Sequence, residues 1–118
     1  MTQKGVLDLE DKFVNNRDDL KYLYYEMYSS LGYPLPEGER TLKTKQIEFH
    51  AISYLIQIME DVFTGLDFDE EFKQPEYKGW MNTFKKWTSA KTFKKHWKLL
   101  KNNYGKGFIQ FVDKNIMT

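Results

Sequence analysis

The sequence predicts an all-α protein: an antiparallel bundle of four to five helices forming a single domain over residues 1–118, with a central, mostly buried helix at about 41–64. Three observations predict it. Apolar residues recur at helical spacing in successive stretches. Glycine, proline and short polar links separate those stretches at Gly32, YPLPEG, TGLDFDEEFKQPEY, Ser89 and Tyr104-Gly105-Lys106-Gly107. One stretch is apolar around most of its circumference, and such a helix has to be covered by others.

The first helical stretch runs from about Val6 to Leu31, where Leu9, Phe13, Asn16, Leu20, Leu23 and Met27 follow 4-3-4-3-4 spacing. Asn15-Asn16 leaves two readings open, because an Asx side chain can accept bonds from the first-turn amides of a helix starting at Arg17. One long helix is favoured over a short helix followed by a capped one. Tyr22, Tyr24, Tyr25 and Tyr28 crowd this stretch and cannot all face one way, so one or two are expected at a surface, a groove or a partner interface. Gly32 ends the helix, and the two prolines of YPLPEG make a loop.

The second helix spans about Thr41 to Thr64. Projected at 100° per residue, Ile47, Ala51, Tyr54, Leu55, Ile58 and Val62 form one stripe, and Phe49, Ile52, Ile56, Met59 and Phe63 form another. Gln46, His50, Ser53, Gln57, Glu60 and Asp61 make the remaining polar strip. Each Ile or Phe left in water would forgo about 1.5–3 kcal/mol of burial. The helix is therefore either the centre of the fold or also a homodimer face, with Phe49, Ile52, Ile56, Met59 and Phe63 as candidate interface residues. The other helices are numerous enough to surround it, which favours the first.

The linker after it carries Asp67-x-Asp69-x-Glu71, which has the start of a calcium-loop spacing but Phe72 and Lys78 where that loop needs Gly and Glu. Helix-starting acids, with a single turn at Asp69–Phe72, are the simpler reading. A third helix begins near Pro75 and reaches Thr88, with Tyr77, Trp80, Met81, Phe84 and Trp87 on one face. Ser89 is the expected N-cap of a fourth, in which Phe93, Trp97, Leu100 and Tyr104 form the apolar stripe. A short last helix, GFIQFVDKNIM, is expected to pack Phe108, Phe111, Val112 and Ile116 onto the bundle.

Net charge is +1, yet residues 1–76 hold 8 Lys and Arg against 16 Asp and Glu, whereas residues 77–118 hold 10 Lys against Asp113 alone. Eight of those lysines, Lys85, Lys86, Lys91, Lys94, Lys95, Lys98, Lys101 and Lys106, fall on the side opposite the aromatics. They are the candidate polyanion-binding residues: facing phosphates, they would bind with steep salt dependence. Without Arg in the stretch, contact with nucleic acid would be nonspecific. Contact with an anionic membrane would be peripheral, because the aromatic faces are needed for the core. The opposing reading is a solvated face near the acidic half of the chain.

Chemistry is sparse. Cysteine is absent, which excludes disulfides and thiolate sites and is compatible with a reducing, cytoplasmic compartment, with a membrane-peripheral location as the alternative. No apolar run is long enough for a span, and MTQKGVLDLEDKF lacks a signal-peptide core. His50 and His96 lack the Glu-x-x-His context of a di-iron bundle, and a lone histidine on a polar strip reads as solvated rather than as a haem ligand. No serine has a nucleophile-elbow context and no phosphate loop exists. No catalytic residue, metal ligand or cofactor is expected.

Trp80-x3-Phe84-x2-Trp87, then Phe93-x3-Trp97-x6-Tyr104-x3-Phe108-x2-Phe111-Val112-Asp113, resembles uncharacterised small helical bacterial domains, some of which follow an N-terminal membrane anchor. The likeness covers residues 43–115 and rests on structural aromatics. It implies an all-helical fold and transfers no site residue, and nothing before Val6 matches the anchor. The expected function is a non-enzymatic protein-interaction or self-associating module, with a homodimer or another protein as partner. Nonspecific polyanion binding through the lysines is the alternative, and an unrecognised small-ligand site or enzyme is third.

Overall fold

A computed structural model describes residues 17–32 and 35–117, with side chains from Asp19 onward. The helices are α1 (Arg17–Tyr28), continued by a 3-10 turn at Ser29–Leu31; α2 (Leu42–Gly65); α3 (Phe68–Glu71); α4 (Lys78–Thr88), entered through a 3-10 turn at Pro75–Tyr77; α5 (Lys91–Leu100), followed by a 3-10 turn at Lys101–Asn103; and α6 (Lys106–Phe111), which widens into a π-helical turn at Val112–Ile116. No strand occurs among the described residues. The bundle is all-α, as the apolar spacing predicts.

In α1, Leu20, Leu23 and Met27 are buried, the positions the 4-3-4 spacing selects. The earlier part of that pattern, and with it the choice between one helix and two, lies outside the described residues. Gly32 stops the segment with φ +86, a left-handed conformation that costs glycine little, and its amide donates to Ser29 O at 3.1 Å. Residues 35–41 then run back alongside α1. The Tyr22 hydroxyl donates to Glu37 O at 2.8 Å, and Asp19 receives a bond from Thr44 Oγ1 at 3.4 Å, so α1 and α2 meet with their N-terminal ends together.

Thr41 starts α2: its Oγ1 accepts from the Thr44 amide at 3.1 Å and satisfies one of the helix's open N–H groups. Seven apolar residues of this helix, Ala51, Ile52, Leu55, Ile56, Ile58, Met59 and Val62, are buried, so both stripes are covered. This removes most of the candidate interface. Ile52, Ile56 and Met59 lie inside the chain's own core, and Phe63 packs between Phe108 and Phe111, with ring centres 5.6 and 5.0 Å away. Phe49 is the most exposed of the five, and Phe63 is partly buried. The reason is coverage: α1, α3, α5 and the C-terminal segment occupy the sides that a second chain would need.

The single turn predicted in the linker forms one residue earlier, at Phe68–Glu71. Asp67 precedes it with φ +52, and its carbonyl accepts from the Glu70 and Glu71 amides. Phe68 anchors the turn, fully buried against Tyr77, Phe84 and Phe111. Phe84, Trp87, Phe93 and Trp97 are all buried, so the aromatics of FKKWTSAKTFKKHWK belong to the core. Phe108, Phe111, Val112 and Ile116 complete it.

One expectation about capping is corrected. Ser89 ends α4 instead of starting α5: its amide and its Oγ both donate back to Lys86 O, the latter at 2.6 Å. Ala90 occupies the N-cap position of α5 and has no side-chain acceptor to offer. The acceptor comes from a different helix.

Truncating the centre should be costly. Leu55→Ala is expected to lower unfolding free energy by about 2–5 kcal/mol, whereas Leu99→Ala, at 69% exposure, should stay within about 0.5 kcal/mol. Urea denaturation of both variants checks the contrast.

Candidate functional site

The lysine-bearing helix α5 is held at three points. Phe93 and Trp97 press into the core from its inner face. At its C-terminal end the Trp97 indole N–H donates to Asp113 Oδ1 at 2.8 Å, while Lys101 Nζ reaches Asp113 Oδ2 at 3.3 Å. The single acid of residues 77–118 is thus engaged by an indole and by one lysine. At its N-terminal end, Glu26 of α1 supplies the missing cap: Oε1 accepts from the Thr92 amide at 2.8 Å and Oε2 from the Thr92 hydroxyl at 3.0 Å. A carboxylate there also meets the positive end of the helix dipole.

Glu26 belongs to a larger ion cluster that the sequence reading did not single out. Arg40, in the loop before α2, donates through Nε to Glu48 Oε1 and Oε2 at 3.0 and 2.9 Å, and through Nη2 to Glu26 and to Thr92 Oγ1. Its guanidinium carbon lies 4.8 Å from the centre of the Tyr22 ring. Glu48 is only 1% exposed. Burial pushes its carboxyl above the usual range, and the Arg40 hydrogen bonds and charge pull against that rise. For Arg40, burial works toward a lower value, but its bonds to Glu48 and Glu26 outweigh it and the guanidinium ends up raised. One signal was present in the sequence: Glu48 stands four residues before Ile52 and seven before Leu55, on the buried face.

The eight candidate lysines do not form one face. Lys91, Lys94, Lys95 and Lys98 line a shallow open groove on the outside of α5, together with the exposed Leu99. Lys85 and Lys86 sit elsewhere, in a cleft between α4 and the end of α1. Lys101 is paired with Asp113, and Lys106 is exposed at the start of α6. The chain reverses at Ser89-Ala90, and this turn separates the two lysine groups that are adjacent in sequence. Among the described residues, none of the four groove lysines makes an ion pair. Glu26, the first-half carboxylate that touches α5 at Thr92, and Glu48 are both turned inward on Arg40.

His96 lies beside this row but faces the core side, against the edge of Phe49 at 5.5 Å between ring centres. Its Nδ1 is buried without a hydrogen-bond partner among the described residues. Burial, aided by the charge of Lys95, lowers its pKa from the ordinary 6.5. His50 also meets Phe49 edge-on, at 5.7 Å between ring centres. No group of three or more metal-ligating side chains gathers among the described residues.

No protein-family model matches the chain, and no curated protein or solved structure is significantly similar to it.

Two tests follow from the buried groups. Arg40→Ala strands the Glu48 carboxylate and is expected to cost about 3–5 kcal/mol, with Arg40→Lys recovering only part, because an ammonium cannot place donors on both glutamates. That loss should shrink on acidification, since a lone buried Glu48 is relieved by taking up a proton; denaturation at several pH values reads this out. For His96 the sign is opposite. Its folded pKa lies below 6.5, so between the two values the unfolded chain binds the extra proton and stability falls as pH drops. His96→Asn should flatten that decline, and an NMR titration of the imidazole should give a midpoint below that of the unfolded chain.

Proposed function

We propose that the protein is a non-enzymatic binding module that holds a phosphate-bearing polyanion, nucleic acid or anionic lipid surface, against the outer face of α5. What supports the reading is one observation: Lys91, Lys94, Lys95 and Lys98 line a single groove, with no carboxylate partner among the described residues. The i, i+3, i+4, i+7 spacing projects all four ammoniums to one side of a rigid helix. An ammonium on a flexible stem meets phosphate oxygens as a point charge, which suits a backbone or a headgroup layer more than a base edge. The protein-interaction reading loses support because Ile52, Ile56 and Met59 are interior.

The reading is tested by titrating labelled duplex DNA, and separately vesicles rich in anionic lipid, at low and moderate salt. Binding to at least one is expected, with log Kobs for DNA falling against log salt at a slope of about −2 to −4, as two to four released counterions per complex would give. Lys94→Glu combined with Lys98→Glu should reduce affinity by roughly tenfold or more while leaving the helical spectrum unchanged. Absence of binding to either partner at low salt overturns the proposal.

A further inference from the structure

The cleft between the end of α1 and α4 is lined by side chains that the α5 surface does not use. Lys85 and Lys86 contribute from one wall, Ser29 and Ser30 from the other, and Asn82 from one turn earlier on α4; the open cleft measures about 680 Å³. Neither lysine makes an ion pair among the described residues, and Lys86 Nζ lies 5.8 Å from the centre of the Tyr28 ring. The one carboxylate lining the cleft, Glu26, already accepts from Arg40 and from the Thr92 amide and hydroxyl. Two of the carbonyl oxygens ending α4, where an anion would meet the negative end of the helix, also accept side-chain bonds: Thr88 Oγ1 donates to Lys85 O at 3.2 Å and Ser89 Oγ to Lys86 O at 2.6 Å.

The cleft is thus lined by two lysines, two serines from the end of α1 and an asparagine, and its one carboxylate is already bonded to Arg40 and Thr92. We propose that it binds the phosphate group of a small phosphorylated molecule. A tetrahedral dianion accepts several hydrogen bonds at once, and the lysines, serines and asparagine of the two walls carry donors for them. The volume leaves room for the organic part of the ligand. Nothing in the linear order of residues brings 29–30 to 82–86; the packing of α1 on α4 does.

The full chain, labelled with nitrogen-15, is titrated with inorganic phosphate and with glycerol phosphate, against chloride at matched ionic strength. Saturable shifts of the Ser29, Ser30, Asn82 and Ser89 amides are expected for both phosphates and not for chloride. Lys85→Gln combined with Lys86→Gln should weaken binding about tenfold or more, as loss of charge-assisted bonds predicts. Lys94→Gln combined with Lys98→Gln should leave it unchanged, which separates this site from the α5 groove whatever the fate of that proposal. Shifts that stay linear with concentration, that chloride reproduces, or that the α5 variant abolishes equally would each overturn the inference.

Discussion

A carboxylate that is 1% exposed needs a cation with hydrogen bonds, and the Glu48–Arg40 pair is the constraint around which the helices of this protein are set. Arg40 comes from the loop that doubles back after α1, so satisfying Glu48 fixes where that loop runs. The same guanidinium reaches Glu26 on α1, and Glu26 in turn caps α5 through Thr92. One planar group thereby ties the start of the central helix, the first helix and the lysine-bearing helix into a single arrangement. Arginine suits this position because its donors radiate in a fixed plane and its face can lie against Tyr22.

That arrangement has an electrostatic consequence. Among the described residues, the acids of the first half make no ion pair with the lysines of the second: Glu26, which touches α5, is directed at Arg40 and the Thr92 amide, and Glu48 at Arg40. Asp113, the acid closest in sequence, is taken by the Trp97 indole and Lys101. The polar half of α5 is thus left with positive charge facing outward, and the cleft beside α4 keeps two further lysines whose nearest carboxylate is occupied. Docking the helix and exposing its charge are two results of the same hydrogen bonds.

The lysine row was legible from spacing alone, as were the buried aromatics beneath it, because a period of 3.6 separates two faces without reference to any neighbour. Phe84, Trp87, Phe93 and Trp97 are interior as that period requires. The division of the lysines into a groove and a cleft was not legible, since it depends on the direction the chain takes after Ser89. The role of Ser89 is not legible in the sequence for a related reason. A serine between two helices can cap either, and here the last carbonyls of α4 take its hydroxyl while α5 receives Glu26 from 66 positions earlier in the chain.

The sequence by itself determined the helical class, the stop at Gly32 and the need to cover the apolar stripes of α2, because each follows from local backbone preference or from the area an apolar helix must hide. Only the tertiary structure decided that this helix is covered by its own chain instead of a second copy, so that Ile52, Ile56 and Met59 are core. It also decided which carboxylates face Arg40 and which lysines remain unpaired. Those outcomes depend on distances between side chains far apart in the chain, where charge and hydrogen-bond geometry act over a few ångströms, and hydrophobic spacing carries no information about such distances.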